Sequence, residues 1–113
     1  MSDSVAILIP TMNRADFVIR QLNYYSAVNC LYSIYIIDSS DKENFGKLED
    51  HINKLRGKLK INHIFHPPGP DCMSFGVSSV KEDYVAYSGD DDYQIPACIE
   101  KCVNFLEENS DYV

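Results

Sequence analysis

Three adjacent carboxylates, Asp90, Asp91 and Asp92, stand between Ser88-Gly89 and Tyr93. Like charges this close repel one another unless water or a cation takes up the charge. A hard divalent cation is satisfied by oxygen ligands and joins them to the oxygens of a diphosphate. The bland alternative is a solvated acidic turn. Placement weighs against it, because the run directly follows the apolar segment Tyr84-Val85-Ala86-Tyr87. Other polar groups occupy equivalent places. Thr11, Asn13 and Arg14 follow the apolar run 5–9, and Asp38 closes the apolar run 34–37. Arg14 suits a phosphate or a base, or else the first turn of a helix. Asp38 suits a base or ribose hydroxyl, or else a turn or helix cap. His51, His63 and His66 are scattered and receive no role; the eight tyrosines are assigned to core and rim.

These residues need elements to hold them. The runs at 5–9, 34–37, 59–65 and 84–87 read as short buried strands, the first ended by Pro10. Between them lie helical patterns. Val18, Leu22 and Tyr25 give one face to a helix over 15–26, and Phe45, Leu48, Ile52 and Leu55 give one to the next, with Gly57 as its stop. Ser39, Ser40 and Asp41 supply capping chemistry between strand and helix. Pro67, Pro68, Gly69 and Pro70 force a loop, and a short helix is expected over 71–80. Pro96 opens a helix whose face is Ile99, Cys102, Val103 and Leu106. Tyr112-Val113 reads as the opening of another strand. Alternating strands and helices predict an α/β, Rossmann-like fold: a mostly parallel sheet with helices on both faces. Ligands of such sheets sit beyond the carboxyl ends of the strands, where the polar residues above fall.

At 113 residues the chain reads as a single domain, residues 1–113. Lys and Arg total 10 against 17 Asp and Glu, a net charge of −7 that argues against a nucleic-acid partner and suits a cation. Cys30, Cys72, Cys98 and Cys102 form no Cys-x-x-Cys pair and are expected to be reduced core thiols in a cytoplasmic setting. Peripheral attachment to a membrane stays open. No apolar stretch approaches a membrane span.

The segment Val5-Ala6-Ile7-Leu8-Ile9-Pro10-Thr11-Met12-Asn13-Arg14 resembles the opening strand and turn of family 2 glycosyltransferases of the GT-A fold. Ile36-Ile37-Asp38-Ser39-Ser40-Asp41 is similar to their second strand, and the stretch from Tyr84 through Asp92 to Pro96 resembles their DxD motif and following helix. The resemblance implies a metal-dependent sugar transferase. Its substrate would be a nucleoside diphosphate-sugar and its metal Mn or Mg. Pro10, Thr11, Asn13, Arg14, Asp38, Ser39 and Asp90 would contact the nucleotide, with Asp38 accepting from the base. Asp91 would be the principal metal ligand, with Asp92 beside it. Some positions depart from the pattern. The first acid of the usual DxD falls on Gly89, Met12 replaces a usual Tyr, and Met73-Ser74 stand where Arg and Asn are common.

Rival enzymes fit less well. A receiver domain or dehalogenase-type phosphatase needs an acid after its first strand, and a nucleotidase of the P-loop kind needs Gly-x-x-x-x-Gly-Lys-Ser/Thr. A nucleotidylyltransferase needs a Gly-rich basic loop after strand one. None is present. The remaining alternative is a non-catalytic module binding a nucleotide or a partner. The chain is expected to stop before the acceptor-binding half, so the catalytic base is unassigned. Alone it is expected to be inactive or weakly hydrolytic, and to self-associate through exposed apolar surface. The acceptor is left unknown.

Overall fold

The computed structural model describes residues 4–112. Four parallel strands form one sheet in the order β3-β2-β1-β4: β1 (Val5–Thr11), β2 (Ser33–Asp38), β3 (Ile61–Phe65) and β4 (Tyr84–Tyr87). The helices between and after them are α1 (Ala15–Ala27), α2 (Lys42–Leu55), α3 (Cys72–Ser79) and α4 (Pro96–Glu108). The expected α/β architecture is therefore present, with helices on both faces but unevenly shared.

Strand alternation explains the division. Val5, Ile7 and Ile9 of β1 and Ile34 and Ile36 of β2 face one way, into a core shared with Val18, Leu22 and Tyr25 of α1, Leu48 and Ile52 of α2, and Ile99 and Val103 of α4. Ala6, Leu8, Tyr35 and Ile37 face the other way, against Phe75 and Val80 at α3. Central strands buried on both faces must be apolar throughout, hence the unbroken runs in the sequence. Gly76 of α3 permits a close approach: a methyl group there would lie 3.1 Å from Ile37 and 3.3 Å from Leu8.

Several details differ from expectation. β1 runs through Pro10 to Thr11 rather than ending at the proline. The Leu8 carbonyl accepts from Ser88 and the Thr11 carbonyl from Ser39. Pro10, in step with Leu8, thus turns its missing N–H towards the side where β4 has already stopped. Helix α2 is not stopped by a left-handed Gly57, since no glycine has positive φ among the described residues. Instead the Lys58 and Leu59 amides both donate to the Leu55 carbonyl. Of the four cysteines only Cys30 is in the core; Cys72 is partly exposed, and Cys98 and Cys102 are exposed on α4. Tyr112 lies outside any strand, and Val113 lies outside the described residues.

The β1 and β2 ends are tied together by Asn13, which sits in the left-handed region at φ 56°. Its amide donates to Ser40 Oγ (2.7 Å), and its Oδ1 accepts from the Asp41 amide (2.9 Å). Asparagine tolerates this backbone better than alanine does. Asn13→Ala should therefore cost about 2 kcal/mol, from strain plus one lost hydrogen bond, and Asn13→Gly only about 1 kcal/mol. Urea denaturation compares them. Equal losses would show that the left-handed backbone contributes nothing.

Candidate functional site

Beyond the carboxyl ends of β1, β2 and β4 lies a cleft of about 370 Å³. Pro10, Thr11, Met12 and Arg14 form one wall, and Ile37 and Ser39 the floor from β2. Pro68, Gly69 and Cys72 close it from the loop after β3, and Asp90 from the loop after β4. Five residues singled out in the sequence thus converge here: Pro10, Thr11, Arg14, Ser39 and Asp90.

The acid loop is anchored to β1 and the start of α1. Thr11 Oγ1 donates to Asp90 Oδ2 at 3.0 Å. Arg14 reaches the same oxygen through Nε at 3.3 Å, and reaches Asp91 Oδ2 through Nη2 at 3.4 Å. The Arg14 guanidinium also lies 4.4 Å from the centre of the Phe17 ring, a cation–π contact. Asp90 is mostly buried, its side chain 12% exposed, whereas that of Asp91 is 54% exposed and open to a ligand. Asp92 is exposed as well. Gly89, standing where the usual motif has an acid, leaves room for its neighbours. A Cβ there would meet Asp92 Oδ2 at 3.0 Å and Asp91 Oδ1 at 3.3 Å.

The loop's backbone is held from below by Gln21, which sequence reasoning passed over. Fully buried on α1, Gln21 donates from Nε2 to the Gly89 carbonyl (3.1 Å) and the Asp90 carbonyl (3.4 Å). Its Oε1 accepts from the Tyr25 hydroxyl (2.6 Å) and Ser88 Oγ (3.0 Å). Tyr25 OH in turn accepts from the Gln94 amide at 3.0 Å. Burial pushes the Tyr25 phenol up to about 12, so it remains a donor at neutral pH. The signal was available: a glutamine between Val18 and Leu22 on an apolar helix face must find partners inside.

Asp38 is placed differently from expectation. It is fully buried beneath the cleft and does not line it. Its Oδ1 accepts from the Ser40 amide (2.9 Å), and its Oδ2 meets His63 Nε2 at 2.7 Å. In this arrangement both oxygens are engaged within the protein, and the residue shapes the Ser39-Ser40 turn. His63, assigned no role from sequence, bridges Asp38 and Glu49 through its two ring nitrogens and stacks on Phe45. Burial works to raise Asp38, but the bonds from His63 and Ser40 outweigh it and hold the carboxyl below its ordinary range. Asn13 lies outside the cleft lining and serves the strand-end tie described above.

The model of the family described as glycosyl transferase family 2 matches residues 6–113. The chain belongs to this family. Among solved structures, it is similar to a 1–349 segment of S. aureus TarS, with TM-score 0.74 and 16% identity, covering 95% of this chain and 33% of that one. It is also similar to the mannosyltransferase PcManGT of Pyrobaculum calidifontis, solved with GDP-Man and Mn2+, with TM-score 0.72 and 14% identity. That match covers 91% of this family 2 chain and 32% of the other. At these identities the likeness establishes the GT-A fold. The chain spans about a third of the length of either structure. No curated protein gives a significant match. No helix among the described residues is long and apolar enough to cross a membrane.

Asp91 and Asp92 lie beside the cleft but outside its lining, and they are the oxygen donors a divalent cation there would use. Among the described residues no three His, Cys, Asp or Glu side chains gather into a cage. Magnesium-type sites commonly take only one or two carboxylates and complete their shell with phosphate oxygens and water. Exposed hard-oxygen donors on Asp91 and Asp92 meet that description.

Proposed function

We propose that the cleft binds a nucleoside diphosphate-sugar, and that the chain is the donor-binding part of a glycosyltransferase moving the sugar to an acceptor hydroxyl. The observation that carries this is the web of Thr11, Arg14, Asp90 and Asp91 at the cleft mouth. It sets a reachable carboxylate and a guanidinium beside a cavity at the strand ends. Thr11, Arg14 and Ser39 contact the nucleotide, with Pro10 shaping the wall. Asp90 keeps the loop in register, and Asp91, with Asp92 beside it, holds Mn2+ or Mg2+. Held there, a cation would supply the positive charge that a departing diphosphate needs.

Transfer also needs a base within hydrogen-bond reach of the acceptor hydroxyl. The only carboxylate lining the described cleft is Asp90, already committed to Thr11 and Arg14. Donor binding with slow hydrolysis at most is therefore the activity proposed for this chain alone. Self-association is proposed through the outer side of β4, where Val85 and Tyr87 are exposed. A second reading, a non-catalytic nucleotide-binding module, draws support from Arg14, which already supplies positive charge to both acids.

Thermal melting with a panel of nucleotide-sugars, with and without Mn2+, tests donor binding. At a ligand concentration of 100 times Kd, stabilisation by about 2.7 kcal/mol is expected for the right donor. It should be seen only with metal present. A panel that leaves the melting temperature unmoved would count against both readings. Labelled product from a donor and acceptor over many turnovers would contradict the restriction to donor binding.

A further inference from the structure

The far wall of the cleft carries a second cluster, centred on Cys72 and His66, which meets the proposed donor site only at Ser39. Cys72 opens α3, and its Sγ lies 3.5 Å from Ser39 Oγ and 3.4 Å from His66 Nδ1. His66 Nδ1 also meets the Pro67 carbonyl at 2.7 Å, and Nε2 faces Asp71 Oδ2 at 3.4 Å. A carbonyl can only accept, so Nδ1 carries a proton. A carboxylate likewise calls for a proton on Nε2. The ring is thereby disposed as an imidazolium that donates to Sγ; Ser39 Oγ can act as a second donor to the sulfur, and the thiol form also reaches the Pro67 carbonyl at 3.4 Å. A thiolate gains the His66 and Ser39 donors together and gives up only the long bond to the Pro67 carbonyl. The sulfur also belongs to the wall of the 370 Å³ cavity, so an incoming small molecule reaches it.

We propose that Cys72 is an activated thiol, and that a mixed disulfide formed on it closes the cleft to its ligand; the second half rests on the donor-binding reading above. The reaction is thiol–disulfide exchange with a small disulfide such as glutathione disulfide. Cys72 Sγ attacks one sulfur, a new S–S bond forms and the old one breaks. The departing thiolate takes the electron pair and then the proton that Cys72 gave up. The electrostatics agree with the geometry. The Ser39 hydroxyl first, then His66 and the Gly69 backbone, draw the Cys72 thiol below its usual range against the opposing push of burial. Partial burial works to lower His66, but the Cys72 thiol, the Pro67 carbonyl and Asp71 outweigh it and raise the imidazole. Arg14 and Asp90 are the other charged groups lining this cavity. They pair with each other across its mouth.

The chain contains its own comparators, because Cys98 and Cys102 are exposed and Cys30 is buried. Glutathione disulfide is added to the whole chain, and adducts at each cysteine are followed by peptide mapping at pH 6 and pH 7. Cys72 should react at least about threefold faster than Cys98 or Cys102 at pH 7, since part of its thiolate gain is offset by lower nucleophilicity. The ratio should widen at pH 6, and His66→Gln should reduce it, leaving the part that Ser39 supplies. Equal rates at Cys72, Cys98 and Cys102, or an unchanged ratio in the His66 variant, would overturn the activated thiol. Treatment with the disulfide should then abolish Mn2+-dependent nucleotide-sugar binding in the wild type and have no effect on that of Cys72→Ser. Unaltered binding after full modification of Cys72 would overturn cleft closure. If Cys72 reacts fast while the untreated chain binds no member of the panel, the thiol assignment is supported and the donor reading fails.

Discussion

Replacing His63 by leucine is expected to destabilise the chain by about 3 kcal/mol, a fall in Tm of more than about 10 °C. His63 and Asp38 side chains are each only 1% exposed, and they meet at 2.7 Å. Leucine fills much of the ring's volume and keeps some contact with Phe45. It leaves the Asp38 carboxylate in the interior with only the Ser40 bond. Removing the hydrogen-bond partner of a buried carboxylate leaves an uncompensated charge in the interior, which is strongly destabilising. The pH dependence carries a sign. The His63 bond first, against opposing burial and aided by Arg56, also holds Glu49 below its ordinary range. With Asp38 and Glu49 both depressed, their contribution is fully present above the unfolded-state carboxyl values. It is lost as pH falls through the lower folded-state values. The gap between wild type and His63→Leu should thus be widest near neutrality and narrow in acid. Urea titrations at pH 7 and pH 4 measure it. A gap that stays constant, or widens in acid, would mean that the lost packing on Phe45 and not the buried carboxylate's lost partner sets the penalty.

Gln21→Leu should destabilise by about 2–3 kcal/mol, because four polar groups lose a buried partner at once. The Gly89 and Asp90 carbonyls lose their donor, and the Tyr25 and Ser88 hydroxyls lose their acceptor. Partial rescue is expected for Ser88, whose Oγ also lies 3.1 Å from the Gly89 carbonyl. The same substitution frees the acid loop from α1, so nucleotide binding should weaken as well, although Gln21 does not line the cleft. Asp92→Asn serves as the comparison for stability, since an exposed polar change in the same loop should move it by less than about 0.5 kcal/mol. Denaturation titrations of both variants decide the matter. Equal stability of Gln21→Leu and wild type would show that the loop holds its shape without the glutamine.

Much of the fold was legible because burial on two faces leaves an unmistakable trace. The runs at 5–9 and 34–37 are apolar at every position, and each became a central strand with both faces covered. Elements at the sheet edge were read less sharply. The β4 strand alternates between half-buried and exposed residues, and the strand expected over 59–65 begins only at Ile61. Residues of the cleft were legible where chain position alone places them, as with Thr11, Arg14 and Asp90 at strand ends. Long-range polar partnerships were not. His63 lies 25 residues from Asp38, and nothing local to either marks the pair. Cys72 joined His66 and Ser39 only through the packing of α3 against β1 and β2, where Gly76 permits the approach. A lone cysteine in sequence reads as core, and only the fold moved this one to a wall.

Donor recognition through a cation at Asp91 is the central claim, and calorimetric titration of a nucleoside diphosphate-sugar into the chain with Mn2+ tests it most directly. The wild type should give saturable, Mn2+-dependent heat. Asp91→Asn should lose binding by at least about 1.5 kcal/mol, roughly tenfold in Kd, as expected for a charged ligand group. Asp41→Asn, which alters only the cap of α2, should bind as the wild type does. Equal affinity of wild type and Asp91→Asn, or binding indifferent to Mn2+, would contradict the account.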